Sequence, residues 1–228
     1  MTGTYSSLPF SHRLTILVGH YGSGKTELAV NLAFQLVHTG KPVALADLDI
    51  VNPYFRSREQ QKKLAERGIQ LIATSQACIN ADVPALPAEL NALLETRRSY
   101  GILDIGGDAA GARVLARYRK MLANEDVQML MVLNRRRPQT QRPQQVSAYL
   151  AEIEQASGLR VTGLINNTHL CGETRPEDVL SGAELVCQVS QQTGVPVAGH
   201  MLCRSLLGQV ALEAPVIPVE IYMKKPWE

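Results

Sequence analysis

Gly19-His20-Tyr21-Gly22-Ser23-Gly24-Lys25-Thr26 is the stretch on which the rest of the chain turns. It fits the pattern G-x-x-x-x-G-K-[ST]. Three glycines within six residues let the backbone curl so that successive N–H groups face one concavity. A lysine and a hydroxyl follow at once, where a helix would begin and add the positive end of its dipole. This chemistry suits a polyphosphate. Lys25 would supply a point charge to the β- and γ-phosphates, and the Thr26 hydroxyl would ligate magnesium. Chance alone would place such a pattern in roughly 1% of chains of this length. The setting is also right: Leu14–Val18 (LTILV) reads as a buried strand before it. Leu28, Ala29, Leu32, Ala33, Leu36 and Val37 recur at helical spacing after it. The alternative, a plain glycine turn capped by Thr26, gives no reason for that strand–loop–helix order.

Gly40 and Pro42 end the helix, and Pro42–Ala46 leads into a second strand that stops at Asp47. Arg58–Arg67 reads as a short helix and Ile69–Ala73 as a third strand. Pro84 and Pro87 precede a helix at Ala88–Thr96. Tyr100–Asp104 is a strand, Ala110–Leu122 a helix, and Val127–Leu133 (VQMLMVL) a strand with little polar character. Val146, Tyr149, Leu150 and Ile153 mark a helix ended by Gly158. Val161–Ile165 is a strand, and Leu180, Ala183, Val186 and Cys187 mark a further helix. Val195–Gly199 and Val216–Ile221 are the last strands. This alternation predicts an α/β chain with a mainly parallel central sheet of about seven to eight strands, flanked by helices. With the Gly19–Thr26 loop after the first strand, the order resembles a P-loop NTPase fold. No linker divides residues 1–228, so one nucleotide-binding domain is expected. In such sheets ligands sit beyond the carboxyl ends of the strands.

The bulk composition of the 228 residues fits this frame. Apolar residues make up 45% and charged residues 19%, ordinary values for a globular protein. A net charge of +2 gives no strong field for nucleic acid or a membrane surface. No apolar run approaches the length of a membrane span, and Met1–Ser11 lacks the basic start and apolar core of a signal peptide. Cys78, Cys171, Cys187 and Cys203 form no Cys-x-x-Cys pair, which points to thiols in a reducing cytoplasm.

Two strand ends carry carboxylates. In Asp47-Leu48-Asp49, period two turns both acids to one side of the sheet, with Leu48 opposite. Like charges so close are costly unless a cation or water lies between them. Solvated loop aspartates are the plainer alternative. Asp104-Ile105-Gly106-Gly107 follows apolar or small residues, as in a Walker-B strand whose carboxylate holds a magnesium-bound water. Gly107 would offer its N–H to the γ-phosphate and let the turn respond to hydrolysis.

With these pieces in order, the chain resembles the MinD/ParA/CbiA-like branch of P-loop ATPases, the CobQ/CobB/MinD/ParA nucleotide-binding domains. The resemblance covers nearly the whole chain, through Gly19–Thr26, Asp47–Asp49 and Asp104–Gly107. It implies that ATP and Mg2+ bind, with Gly19, His20, Tyr21, Gly22, Ser23, Gly24, Lys25, Thr26 and Gly107 around the phosphates. Lys25, Asp49 and Asp104 would be catalytic, Asp49 by positioning the attacking water. Thr26, Asp47 and Asp104 would serve the metal, Asp47 through water. Asn52–Glu59 would be switch I and Asp104–Gly111 switch II. Gly163-Leu164-Ile165-Asn166-Asn167-Thr168 is similar to the segment whose Asn reads the adenine edge. Asn167 is aligned to that role, with Asn166 as second candidate. An amide offers the donor and acceptor that adenine needs, and an Asx turn is the alternative. No N-K-x-D is present, so guanine specificity has no support. One position departs from the family. Its dimerising members place a lysine directly after the first loop glycine, reaching the partner subunit's phosphates, and here that residue is His20. A homodimer around the nucleotide is weakened accordingly.

Weaker signals remain open at this level. Arg56 and Arg58 would stabilise charge during phosphoryl transfer, bind a partner or form surface ion pairs. Arg135-Arg136-Arg137-Pro138 is a basic loop that either touches phosphate or an acidic partner or is simply solvated. Ala81–Pro87 either lines a cavity or orients the next helix. His169 with Cys171, and His200 with Cys203, match no familiar metal-ligand spacing. The expected function is an ATPase switch acting on a protein partner. The alternatives are a carboxylate-activating synthetase or amide ligase, a small-molecule kinase, and a non-catalytic nucleotide sensor.

Overall fold

Five consecutive side chains of β1 (Leu14–Val18) are buried, as a strand must be when helices cover both faces of its sheet. The computed structural model describes residues 12–49, 60–73 and 88–223. Arg56, Arg58, Cys78, the Asn52–Glu59 segment and the Ala81–Pro87 bend therefore lie outside the described residues. In chain order the elements are β1, α1 (Lys25–Val37), β2 (Val43–Leu48), α2 (Gln61–Glu66), β3 (Ile69–Ala73), α3 (Ala88–Thr96) and β4 (Tyr100–Ile105). They continue with α4 (Ala109–Leu122), β5 (Val127–Leu133), α5 (Pro143–Ser157), β6 (Gly163–Asn166), α6 (Pro176–Thr193), β7 (Val197–Cys203) and β8 (Val216–Val219).

The strands form one 8-stranded sheet in the order β3-β2-β4-β1-β5-β6-β7-β8. Every neighbouring pair is parallel. From β1 the chain moves outward to β2 on one side, and from β4 it crosses back over β1 to β5. That reversal opens a crevice at the carboxyl ends of the central strands. Period two divides the core. Leu14, Ile16 and Val18 join α3, α4, α5 and α6 on one face. Leu17 joins α1 and Leu64 of α2 on the other. Inside the sheet Gln128 of β5 donates to Thr15 of β1 at 2.9 Å, so the one amide on that apolar strand is partnered.

Several boundaries move for identifiable reasons. β6 begins at Gly163 rather than Val161, because the Val161 N–H donates to Glu154 Oε1 at 2.8 Å, outside the ladder. β7 begins at Val197 and runs to Cys203, since Pro196 has no N–H to enter the sheet. α6 begins well before Leu180, at Pro176, where Asp178 accepts from the Arg175 N–H at 2.9 Å. β8 stops at Val219 because Glu220 turns to α1: Asn31 donates to its carbonyl and accepts from its N–H, both at 2.9 Å. Glu27 and Gln35, one turn to either side on α1, bind the backbone of Tyr222, Met223 and Pro218. Glu27, Asn31 and Gln35 thus fasten the final segment along the helix that follows the glycine loop. Among the described residues no helix is long and apolar enough to cross a membrane.

Candidate functional site

The glycine loop leaves β1 and enters α1 at the mouth of this crevice. Gly24 has φ +91°, a left-handed conformation that glycine adopts without strain. A Cβ there would also collide with the Asn167 amide. Lys25 is 7% exposed, with its ammonium 3.5 Å from the His20 carbonyl. Burial pulls its pKa down, while Asp104 first, then Asp49 and Asp108, oppose that shift. The lysine is therefore a desolvated cation ringed by three acids, a strong field for a multivalent anion.

β2 and β4 bring the acids to the loop. Asp47 and Asp104 are register partners on adjacent strands. Thr26 donates to Asp104 Oδ2 at 2.6 Å. The other oxygen, Oδ1, is buried with no hydrogen-bond partner. Burial pushes the Asp104 pKa up to about 7; Lys25 and the Thr26 hydrogen bond counter it, and Asp47 and Asp49 add to it. Asp49 lies against Gly106, where an added Cβ would stand 3.2 Å from its Oδ1. The turn after β4 in turn packs on the loop. A Cβ on Gly107 would lie 2.8 Å from the Tyr21 nitrogen and 2.9 Å from the Gly19 carbonyl. Asp108 caps α4 by accepting from the Gly111 N–H at 2.7 Å.

β6 approaches from the other side. Asn167 is 5% exposed and donates to the Ser23 carbonyl at 2.7 Å. The structure thus sets it against the loop backbone. Asn166, one residue back, faces the opposite way. Its amide nitrogen meets the Val179 carbonyl at 3.0 Å and His200 Nδ1 at 3.2 Å, and its oxygen accepts from Thr168. The two candidates are separated in this way: Asn167 borders the loop, and Asn166 is spent holding α6 and β7.

Three contributions were not visible in the sequence. Arg137 donates to the Gly22 carbonyl at 2.9 Å and so braces the loop tip. Its neighbours have other work: Arg136 pairs with Asp178, and Arg135 bonds the Ser181 carbonyl and Glu184 of α6. The basic loop is thus tied to its neighbours through all three guanidinium groups, while Arg136 and Arg137 stay exposed. Tyr149 of α5 stacks on His20, and its hydroxyl donates to the Gly107 carbonyl at 3.1 Å. The Glu27 tether described above starts two residues after Lys25. The hint for Tyr149 was its hydroxyl, which must find a partner when buried in an apolar helix face. His169 accepts from the Cys171 N–H, and among the described residues no group of three or more His, Cys, Asp or Glu is placed to hold a metal ion.

The model of the CobQ/CobB/MinD/ParA nucleotide-binding domain matches residues 14–176, most of the chain. The chain belongs to that family. No curated protein matches the sequence. Among solved structures, cell division protein FtsY from Thermotoga maritima is 20% identical with TM-score 0.55, covering 86% of this chain and 64% of that one. Chloroplast FtsY from Physcomitrella patens is 22% identical with TM-score 0.55, over 86% and 60%. FlhF complexed with GTP and Mg2+ is 17% identical with TM-score 0.52, over 83% and 65%. The chain spans less than two thirds of the length of each, and these likenesses establish the fold. As a member of the CobQ/CobB/MinD/ParA family with the P-loop fold, the protein is a nucleotide-binding P-loop domain.

Proposed function

We propose that the protein binds Mg·ATP and hydrolyses it, as a nucleotide-dependent switch that acts on a protein partner. The observation that carries this reading is the buried Thr26–Asp104 pair beside Lys25, with one oxygen of Asp104 left without a partner. A carboxylate so placed is incomplete until positive charge arrives. Its donors are hard oxygens, a hydroxyl and one or two carboxylates, and a magnesium ion takes few protein ligands because phosphate and water complete its shell. The residues present therefore fit Mg2+, with Thr26 and Asp104 holding it and Asp47 acting through water. When bound, the ion would neutralise charge on the phosphates.

The chain's own residues do the rest. Loop amides and Lys25 wrap the phosphates. Asp49 orients the attacking water. Gly107, in contact with Gly19 and Tyr21, senses the γ-phosphate through the loop it touches. Adenine is favoured over guanine because neither Asn166-Asn167-Thr168-His169 nor Asn167-Thr168-His169-Leu170 ends in the aspartate that would accept from guanine. Asn167 serves the base only after holding the loop. Asn52–Glu59 acts as the first switch and Asp104–Gly111 as the second. Cys171, Cys187 and Cys203 are free thiols, in keeping with a cytoplasmic protein.

Calorimetry with Mg·ATP and Mg·GTP, paired with phosphate release, tests the proposal. Lys25→Ala is expected to weaken ATP binding by about a hundredfold or more, since it leaves three acids without their cation. Asp49→Ala is expected to bind ATP and to stop hydrolysing it. Failure of the wild-type protein to bind any nucleoside triphosphate, or undiminished turnover in Asp49→Ala, overturns the reading. Turnover that appears only with an added carboxylic acid replaces the switch by a synthetase.

A further inference from the structure

α5 is not adjacent in sequence to either the loop or the turn, yet it delivers one side chain between them. The Tyr149 ring lies 3.7 Å from the His20 ring at an interplanar angle of 24°. Its hydroxyl donates to the Gly107 carbonyl at 3.1 Å. The ring thus meets the phosphate loop at His20, and the hydroxyl meets the turn after β4 at Gly107. The Gly107–Asp108 peptide is planar, so fixing the Gly107 carbonyl also fixes the Asp108 N–H, which lies in the same plane. Gly107 also has no free space toward Tyr21 and Gly19. Loop and turn therefore move together or break this bond.

His20 occupies the position at which the family's dimerising members carry a lysine for the neighbouring subunit. Here its ring is used within its own chain, on Tyr149. We propose that Tyr149 is a positioning residue for ATP hydrolysis, tying the turn after β4 to the phosphate loop, with His20 as the surface on which its ring rests. This rests on the ATPase reading above. The tie stiffens the turn in which Gly106 lies against Asp49, and so holds the water-positioning carboxylate at its place. Tyr149 sits in the middle of α5, on the face that packs into the core with α4 and α6.

Tyr149→Phe keeps the ring and its stack and removes the hydroxyl alone. Two measurements separate the tie from its consequence. Hydrogen exchange in nucleotide-free protein is expected to speed up about tenfold or more in residues 105–111, with β5 unchanged as the control for folding. In turnover, kcat is expected to fall about fivefold, the scale of one hydrogen bond, while Kd for Mg·ATP stays within about twofold. Tyr149→Ala also loses the stack, and is expected to weaken binding as well. Exchange and kcat both equal to wild type in Tyr149→Phe overturn the tie while leaving the ATPase intact. Faster exchange with unchanged kcat overturns the positioning role. Wild-type protein that consumes no ATP overturns the ATPase reading itself, and the exchange result then decides whether the tie exists.

Discussion

The ends of β4 and β6 reach the same glycine loop from opposite sides, and they are finished to different degrees. At β4, Asp104 is 3% exposed, one of its oxygens has no partner, and its pKa is pushed up to about 7. At β6, Asn166 is 1% exposed and both its nitrogen and its oxygen are hydrogen-bonded within the chain. Asn167 likewise has the Ser23 carbonyl. Burial costs the same kind of energy in both places, but only one end recovers it internally. At β4 the chain leaves one buried carboxylate oxygen without a partner, whereas at β6 it completes the Asn166 amide itself.

The widest gap between the two ends is electrostatic. Asp104 has a folded pKa near 7, above the 3.8 of an ordinary aspartate. Between those values the folded protein holds a proton that the unfolded chain has released, so its stability falls as pH rises through the window and levels off above it. The sum over that window is on the order of a few kcal/mol. Asp104→Asn has no such titration. Its stability relative to wild type is expected to improve from pH 5 to pH 8 in metal-free, nucleotide-free protein, followed by urea unfolding. Parallel pH curves for the two proteins would show that Asp104 is already balanced, and the contrast with β6 would vanish.

Glycines next to each end give the second and third tests. A Cβ on Gly107 meets backbone atoms of Tyr21 and Gly19, which cannot swing aside. Gly107→Ala is expected to weaken nucleotide affinity and to lower ATP turnover by about a hundredfold, some 2.7 kcal/mol of barrier. A Cβ on Gly182 of α6 would strike the side chains of Thr168 and Asn166. Gly182→Ala is expected to cost about 1–3 kcal/mol of stability through overpacking, with a far smaller effect on nucleotide affinity than Gly107→Ala. Equal effects of the two on affinity would mean that β6 is as much a part of the ligand site as β4.

The fold was legible where a short, mostly apolar run is bounded by turn residues. Leu14–Val18 and Val127–Leu133 are such runs, Ile69–Ala73 is another with Gln70 exposed, and all three appear at the expected positions. The starts of β6, β7 and α6 were not, because each is set by one polar contact or one proline rather than by periodicity. Within the site, the loop and the aspartates stand together in sequence or at strand ends, so their placement could be read. Arg137, Tyr149 and Glu27 act across 115, 42 and 195 residues on Gly22, Gly107 and Tyr222 respectively. Nothing in local pattern reports such partners; only the packing of helices on a twisted sheet brings them together.

The finest form of the comparison lies at the end of β6, where Asn166 and the residue that follows the strand, Asn167, point to opposite sides. Asn167→Ala removes a single hydrogen bond to the Ser23 carbonyl, and the net value of such a bond is about 1 kcal/mol. The expected result is roughly a fivefold loss of nucleotide affinity with a modest fall in stability. Asn166→Ala instead leaves the Val179 carbonyl and the Thr168 N–H without their partner, deep in the interior. Its cost is expected mainly in stability, about 1–3 kcal/mol, with the smaller change in affinity of the two. Calorimetry and urea unfolding on both variants give a two-by-two comparison in which each substitution is the other's control. If Asn166→Ala loses more affinity than Asn167→Ala, the strand presents its other face to the ligand, and the division between an unfinished β4 end and a finished β6 end is wrong at the residue nearest the loop.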